Sequence, residues 1–164
     1  MKIQVLKQNS MKLINEHLNF QRGSSDSKLS SLGIGRKKLI EEWLEKYNIR
    51  KYYINDDYSI GVTSNVYLEK RSIGNLPEYI QFDIVDGNFR IDDNNLTTLR
   101  GCPRCVNDIF DCEGNNITSL EFAPKYIKRE FYCRHTSLSK EVIKDYIDSI
   151  SFTGELHTDF IELE

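Results

Sequence analysis

The chain has 164 residues, a formal net charge of −3, 39% hydrophobic residues and 29% charged residues. This balance is typical of one globular domain, and the weak acidity argues against nucleic-acid binding, which requires a basic surface. The longest apolar runs extend over only a few residues, so we expect no membrane-spanning segment. The apolar start of the chain breaks off at Lys7, too early for a signal peptide, and the sequence therefore predicts a cytoplasmic protein.

Residues 1–35 form the first predicted segment, a mobile leader. Residues 24–31 within it are dominated by serine and charged or polar residues. Such a composition cannot bury enough apolar surface to offset the entropy of ordering the chain. We therefore expect this leader to be loosely attached to the rest of the chain.

Residues 36–65 are predicted to form a helix followed by a β-hairpin. The segment 36–47 has apolar residues at positions 39, 40, 43, 44 and 47, which is the spacing of one helical face. Two segments rich in tyrosine, isoleucine and valine, 52–54 and 58–62, flank the turn-forming residues 55–57. We expect this helix and hairpin to cap the first end of residues 66–138, since an exposed sheet edge promotes aggregation.

Residues 66–138 contain a repeat with a period of about 21 residues. Phe89, Phe110 and Phe131 follow one another at this step, and Pro103 and Pro124 keep it. In each unit, two apolar residues that are two positions apart predict a strand with both side chains directed inward. An asparagine follows, at the point where we expect the chain to turn. Stacked units predict one parallel sheet on one side and irregular return segments on the other. A fainter unit begins at residue 66.

Residues 139–164 are predicted to cap the other end of the repeats. Ser139 is a suitable N-cap for a helix over residues 140–149, whose apolar residues recur at helical spacing. The segment 154–157 predicts one last strand. The helix and strand would cover the sheet edge that the final repeat leaves open.

The repeat resembles the leucine-rich repeat, and most closely the short units of small proteins encoded by tailed bacteriophages. The residues that carry this resemblance are Phe110-Asp111-Cys112, Phe131-Tyr132-Cys133 and Gly101-Cys102-Pro103. The pattern is also similar to the repeats of bacterial effector proteins. Thr136 replaces the asparagine of the last unit, and Glu141 stands where a leucine is expected. The resemblance implies an α/β fold, a short leucine-rich-repeat solenoid with a parallel sheet.

The four cysteines are predicted to be small core residues without a bound metal. They are Cys102, Cys105, Cys112 and Cys133. The spacing of the first two also occurs in zinc sites, so the alternatives are a zinc-thiolate site or, less in keeping with a cytosolic protein, a disulfide. Cys112 and Cys133 occupy equivalent inward positions of neighbouring strands, which favours burial in the core.

The outward positions of the predicted strands are the candidate binding site. Leucine-rich repeats bind through the concave face of their sheet, so the resemblance implies a protein partner there. The face combines an acidic centre with tyrosine and arginine, residue types enriched at binding hot spots, and predicts a partner with a basic patch. The residues are Tyr67, Glu69, Arg90, Asp92, Asp111, Glu113, Tyr132 and Arg134.

No catalytic or cofactor-binding motif is present in the sequence. The three histidines are scattered, and the chain has no phosphate-binding glycine loop, no serine-nucleophile elbow and no paired-histidine zinc motif. We therefore expect a non-enzymatic, cofactor-free module, encoded by a phage, that binds a host or phage protein in the host cytoplasm. The alternative is a virion or assembly component attached through its N-terminal segment, because residues 18–35 resemble the N-terminal segment of many small phage proteins.

Overall fold

The computed structural model describes residues 35–150 and 152–160. The chain divides into two compact units, Met1–Leu39 and Ile40–Glu164, and the described part of the first is residues 35–39. Except for Gly35, the expected mobile leader and the phage-like segment 18–35 lie outside the described residues.

Both predicted helices are present. Helix α1 is Arg36–Lys46 and buries Ile40, Trp43 and Leu44. Helix α2 is Lys140–Ser149, and the Ser139 hydroxyl accepts a hydrogen bond from the backbone N–H of Val142 at 3.3 Å, which confirms the predicted N-cap. Within the described residues, neither helix is long and apolar enough to cross a lipid bilayer.

Among the described residues, ten short strands form two five-stranded sheets. Sheet 1 has the order β1-β2-β4-β6-β8, and sheet 2 has the order β10-β9-β7-β5-β3. The strands of sheet 1 are β1 Tyr52–Ile54, β2 Ile60–Val62, β4 Phe82–Val85, β6 Cys105–Val106 and β8 Tyr126–Ile127. Those of sheet 2 are β3 Val66–Tyr67, β5 Phe89–Arg90, β7 Phe110–Asp111, β9 Glu130–Tyr132 and β10 Glu155–His157. The hairpin β1–β2 is antiparallel, as predicted, and every other pair is parallel.

The expectation of one parallel sheet is wrong, because each repeat contributes a strand to two sheets. Only residues 86–88 separate β4 from β5, and bends of three and two residues follow β6 and β8. The strands before the bends also carry inward-pointing residues that recur every 21 residues. Val85 pairs with Val106, and Val106 pairs with Ile127. These valine and isoleucine side chains are buried, so sheet 1 closes a second side of the core.

A line of aromatic rings runs through the core at the step of the repeat. In sheet 2, Phe89 pairs with Phe110 and Phe110 with Phe131, and all three side chains are fully buried. Their ring centroids are 6.1 and 5.6 Å apart. Phe131 also contacts Tyr146 of α2, with the ring centroids 5.5 Å apart. Because each ring packs on the next, the aromatic residues join successive repeats into one core.

Two buried asparagines form hydrogen bonds with backbone groups of the turns that follow the strands of sheet 2. The Asn115 amide nitrogen donates to the carbonyls of Ile91, Cys112 and Glu113 at 2.9–3.1 Å. Its side-chain oxygen accepts from the backbone N–H groups of Asn94 and Leu96, both at 3.0 Å. Asn94 makes the same kind of contacts one repeat earlier, with the carbonyl of Leu68 among its acceptors. Each asparagine therefore satisfies backbone groups of its own repeat and of the preceding one.

Candidate functional site

The structure brings four of the predicted site residues into one row on sheet 2. Tyr67 pairs with Arg90, Arg90 with Asp111, and Asp111 with Tyr132. The neighbouring phenylalanines point into the core, so the residues of this row point away from it. Tyr67 and Tyr132 lie at the two ends of the row, and the charged residues Arg90 and Asp111 lie between them.

Asp111 forms the buried centre of this row. It is only 3% exposed, and its carboxylate accepts hydrogen bonds from Arg90 Nε at 3.2 Å and from the Glu113 backbone N–H at 3.2 Å. An Arg90 Nη2 atom lies 3.1 Å from the same carboxylate. Burial raises the pKa of Asp111 to about 6, although the Arg90 charge opposes this rise. A molecule that approaches this face therefore meets the guanidinium of Arg90 rather than the Asp111 carboxylate.

The other four predicted residues form a second row beside the first. The backbone hydrogen bonds of sheet 2 continue past the strand ends, from Asp93 N–H to the Glu113 carbonyl at 2.9 Å and from Gly114 N–H to the Arg134 carbonyl at 3.1 Å. Successive repeats are thus held at strand spacing, roughly 5 Å, along this row as well. Its members are Glu69, Asp92, Glu113 and Arg134.

Three carboxylates of the second row lie in succession and affect one another. Burial raises the pKa of Asp92 and the charge of Glu69 adds to that rise, while a backbone hydrogen bond and the charge of Arg90 oppose it. Burial also raises the pKa of Glu113, with a further contribution from Asp92, while Arg134 opposes it. The buried Oε2 atom of Glu69 has no hydrogen-bond partner within the part of the chain that the structure describes. The row therefore concentrates negative charge, of which Arg90 and Arg134 compensate a part.

Sheet 1 and the bends after its strands carry ion pairs and hydrogen bonds between polar groups one repeat apart. Arg104 Nη2 lies 3.0 Å from Asp83 Oδ1, and Arg129 Nη1 lies 3.4 Å from the Asp108 carboxylate. In addition, the Asn107 amide donates to Asp86 Oδ1 at 2.8 Å. Each of these contacts joins residues 21 positions apart, so here the repeat brings complementary groups together.

Strand β10 adds a group of residues that the sequence reasoning missed. Its register places Glu155 beside Glu130 and His157 beside Tyr132, on the same face as the first row. The Tyr132 and His157 rings stack with centroids 4.0 Å apart and planes 9° apart. The Tyr132 hydroxyl donates to the Glu130 carboxylate, and this hydrogen bond raises the pKa of Tyr132 to about 12. The alternation of Glu155 and His157 on a predicted strand was the available signal.

The three ligand atoms of this group converge. His157 Nε2 lies 3.7 Å from Glu130 Oε2 and 3.8 Å from Glu155 Oε2. The three atoms lie within 4.8 Å of one another, and they form the only such cluster of metal-ligating side chains among the described residues.

The cysteines do not form a comparable cluster. All four are free thiols, and Cys102, Cys112 and Cys133 are buried, as expected for core residues. Burial raises the pKa of Cys133 to about 12 and raises those of Cys102 and Cys112. Within the described part of the chain, no three cysteine sulfurs meet at metal-binding distance. The structure thus does not assemble the alternative zinc-thiolate site.

Comparisons of the chain with protein-family models, curated protein sequences and solved structures find no match. Membership of the leucine-rich-repeat family and a phage origin therefore stay predictions from the sequence. What the chain does has to be inferred from the geometry and charge of its own residues.

Proposed function

We propose that the chain is a non-enzymatic module that binds a protein partner through the outward face of sheet 2. The proposed framework is a leucine-rich-repeat solenoid over residues 66–138, capped by residues 36–65 and 139–164. The 21-residue pairing register and the buried asparagines support this framework. Contacts at the two ends of the aromatic line support the caps. Trp43 packs on Phe82, whose ring contacts Phe89, and Tyr146 packs on Phe131.

The observation that carries the proposal is the succession of like charges on one side of the molecule. Glu69, Asp92 and Glu113 follow one another just past the ends of neighbouring strands, where the backbone hydrogen bonds between repeats continue. Like charges opposite each other on adjacent strands destabilise a sheet. The complementary pairs of sheet 1 are the arrangement expected if stability alone determined these positions. A row of carboxylates is explained better by a partner with a lysine- or arginine-rich patch.

The residues beside the carboxylates suit the same role. Tyr67 is 43% exposed at one end of the first row, and Arg90 is half-buried in its middle. Tyrosine and arginine provide large contact area and directed hydrogen bonds, and they are common among residues that dominate binding energy. We propose that these residues supply affinity while the carboxylates select a basic partner, a host or phage protein in the host cytoplasm.

The test is capture of a partner from bacterial lysate by the tagged full chain and two matched variants. The face variant is Glu69→Gln/Asp92→Asn/Glu113→Gln. The control variant, Glu78→Gln/Asp83→Asn/Asp86→Asn, removes the same number of negative charges before, within and after strand β4. Circular dichroism and thermal unfolding verify that both variants are folded.

We expect the wild type and the control variant to retain one partner that the face variant loses. Binding should also weaken as salt is added, because exposed charges are screened. Retention by the face variant, or equal loss from both variants, would contradict the proposed binding face. Absence of any specific partner would favour the virion or assembly role, which deletion of residues 1–35 then tests.

A further inference from the structure

We propose that Glu130, Glu155 and His157 bind one divalent transition-metal ion, zinc in preference to others, at the edge of sheet 2. The ligand atoms of these residues are one imidazole nitrogen and two carboxylate oxygens, all within 4.8 Å of one another. They come from two adjacent parallel strands, β9 and β10. The site is independent of the protein partner proposed above, although it lies on the same face.

The backbone brings the ligands together. In the β9–β10 register Glu155 pairs with Glu130, and His157 is two residues further along the same strand face. The Glu155 N–H donates to the Arg129 carbonyl at 2.8 Å, which anchors the start of β10. Gly154 makes this approach possible, because a Cβ atom there would lie 1.6 Å from the Arg129 carbonyl oxygen.

The distances around His157 suit an ion better than a hydrogen bond. Its Nε2 atom is buried and has no hydrogen-bond partner in the described structure. The two carboxylate oxygens that face it lie 3.7 and 3.8 Å away, beyond hydrogen-bonding distance. A zinc ion about 2.1 Å from each ligand atom sets neighbouring ligands roughly 3.4 Å apart. Each carboxylate oxygen would then move a few tenths of an ångström toward His157 Nε2, and the two oxygens, which lie within 4.8 Å of each other, would also approach one another.

Tyr132 supports two of the three ligands. Its hydroxyl donates to Glu130 and orients that carboxylate, and its ring stacks on the His157 imidazole. Metal-binding side chains are commonly oriented by such neighbours, whose removal lowers metal affinity about 10- to 100-fold.

The ligand types select the class of ion. Imidazole nitrogen suits zinc and related transition metals, whereas calcium and magnesium prefer oxygen ligands alone. Two carboxylates and a neutral imidazole would also balance the charge of a divalent ion. Three protein ligands leave a fourth position of zinc open to water or to a side chain of another molecule.

The experiment measures zinc uptake by the full chain after removal of metals with EDTA. Isothermal titration calorimetry with zinc chloride gives stoichiometry and affinity, and thermal unfolding with and without zinc reports linkage to folding. Cobalt(II) absorption distinguishes nitrogen and oxygen ligands from thiolates, which add intense charge-transfer bands. The variants are Glu155→Gln, whose site is largely exposed, His157→Gln, Tyr132→Phe, and the control His17→Gln/His135→Gln.

We expect one zinc per wild-type chain, with a zinc-dependent rise in unfolding temperature and no thiolate bands. Glu155→Gln and His157→Gln should lower affinity by more than about 100-fold, Tyr132→Phe by about 10-fold, and the histidine control by less than about 2-fold. Glu155→Gln should unfold like the metal-free wild type, which separates metal loss from misfolding. Uptake well below one zinc per chain, thiolate bands, or affinity unchanged in Glu155→Gln would overturn the site. None of these outcomes depends on whether a protein partner is found.

Discussion

The outward residues of the two sheets use the same repeat step differently. Sheet 2 also has a complementary pair at this step, Arg90 with Asp111, but the row beside that pair places Glu69, Asp92 and Glu113 in succession. In and beside sheet 1 the step joins Arg104 to Asp83 and Arg129 to Asp108, so that opposite charges neutralise each other. Beside sheet 2 the corresponding step from Asp92 to Glu113 stacks like charges, and burial raises the pKa of both. Both sheets pack on one aromatic core, so the difference concerns their outward residues.

This difference separates what holds the molecule together from what a partner would recognise. Complementary pairs across strands contribute modestly to stability, and like charges reduce it. A protein retains a destabilising arrangement most readily where function needs it. Within the described residues, the sheet 2 face is therefore poorly explained by folding alone.

The largest expected effect on stability comes from replacing a buried asparagine in the turns that follow the strands of sheet 2. Asn115→Ala leaves two backbone N–H groups and three carbonyls without their buried partner, and should lower the free energy of unfolding by about 3 kcal/mol. Asn107→Ala is the matched change beside sheet 1, where one amide hydrogen bond to Asp86 is lost, and should lower it by less than about 1 kcal/mol. Urea unfolding of both variants measures the two values, and similar losses would contradict the distinct role of the buried asparagine.

The next effect is a pH dependence from Asp111. Its folded-state pKa of about 6 lies above the ordinary value of about 3.9, so its contribution to stability is complete below pH 4 and is lost as the pH rises through 6. Relative to Asp111→Asn, the wild type should gain about 2 kcal/mol between pH 7.5 and pH 4.5. Urea unfolding at both pH values gives this difference, and a gain in the opposite direction would show that the Arg90 pair outweighs burial.

A smaller effect distinguishes two arginines of almost equal exposure. The Arg90 and Arg104 side chains are 41% and 42% exposed, whereas those of their partners Asp111 and Asp83 are 4% and 20% exposed. Arg90→Ala leaves the more deeply buried carboxylate, so it should destabilise by about 1–2 kcal/mol, against less than about 1 kcal/mol for Arg104→Ala. Arg90→Ala should also raise the pKa of Asp111 further above 6, which a carboxyl NMR titration detects. An unchanged titration midpoint would contradict the ion pair.

Local patterns made part of the fold predictable. Helical spacing predicted α1, Ser139 predicted the start of α2, and turn residues predicted the β1–β2 hairpin. The repeat strands of sheet 1, β4, β6 and β8, were missed because the segments that contain them were interpreted as irregular return segments. The recurrence of Val85, Val106 and Ile127 at the 21-residue step was the signal that could have identified them.

The sequence predicted which residues of sheet 2 face outward. It did not predict how deeply those residues are buried, or which groups β10 adds at the edge of the sheet. The alternation of inward and outward positions identified the two rows of sheet 2. That Asp111 is buried beneath Arg90 depends on side-chain contacts that the repeat does not encode. The approach of Glu130 to His157 depends on how β10 pairs with β9 across α2, which no local pattern specifies.

The central claim is that the carboxylates of the sheet 2 face lower stability and are retained for binding. Its most direct measurement is the thermal unfolding temperature of Glu69→Gln/Asp92→Asn/Glu113→Gln at neutral pH and low salt, beside the Glu78→Gln/Asp83→Asn/Asp86→Asn control. Relief of like-charge repulsion predicts that the face variant unfolds about 3 °C above the wild type, while loss of the Arg104–Asp83 pair lowers the control. A face variant that unfolds at or below the wild-type temperature would contradict the claim.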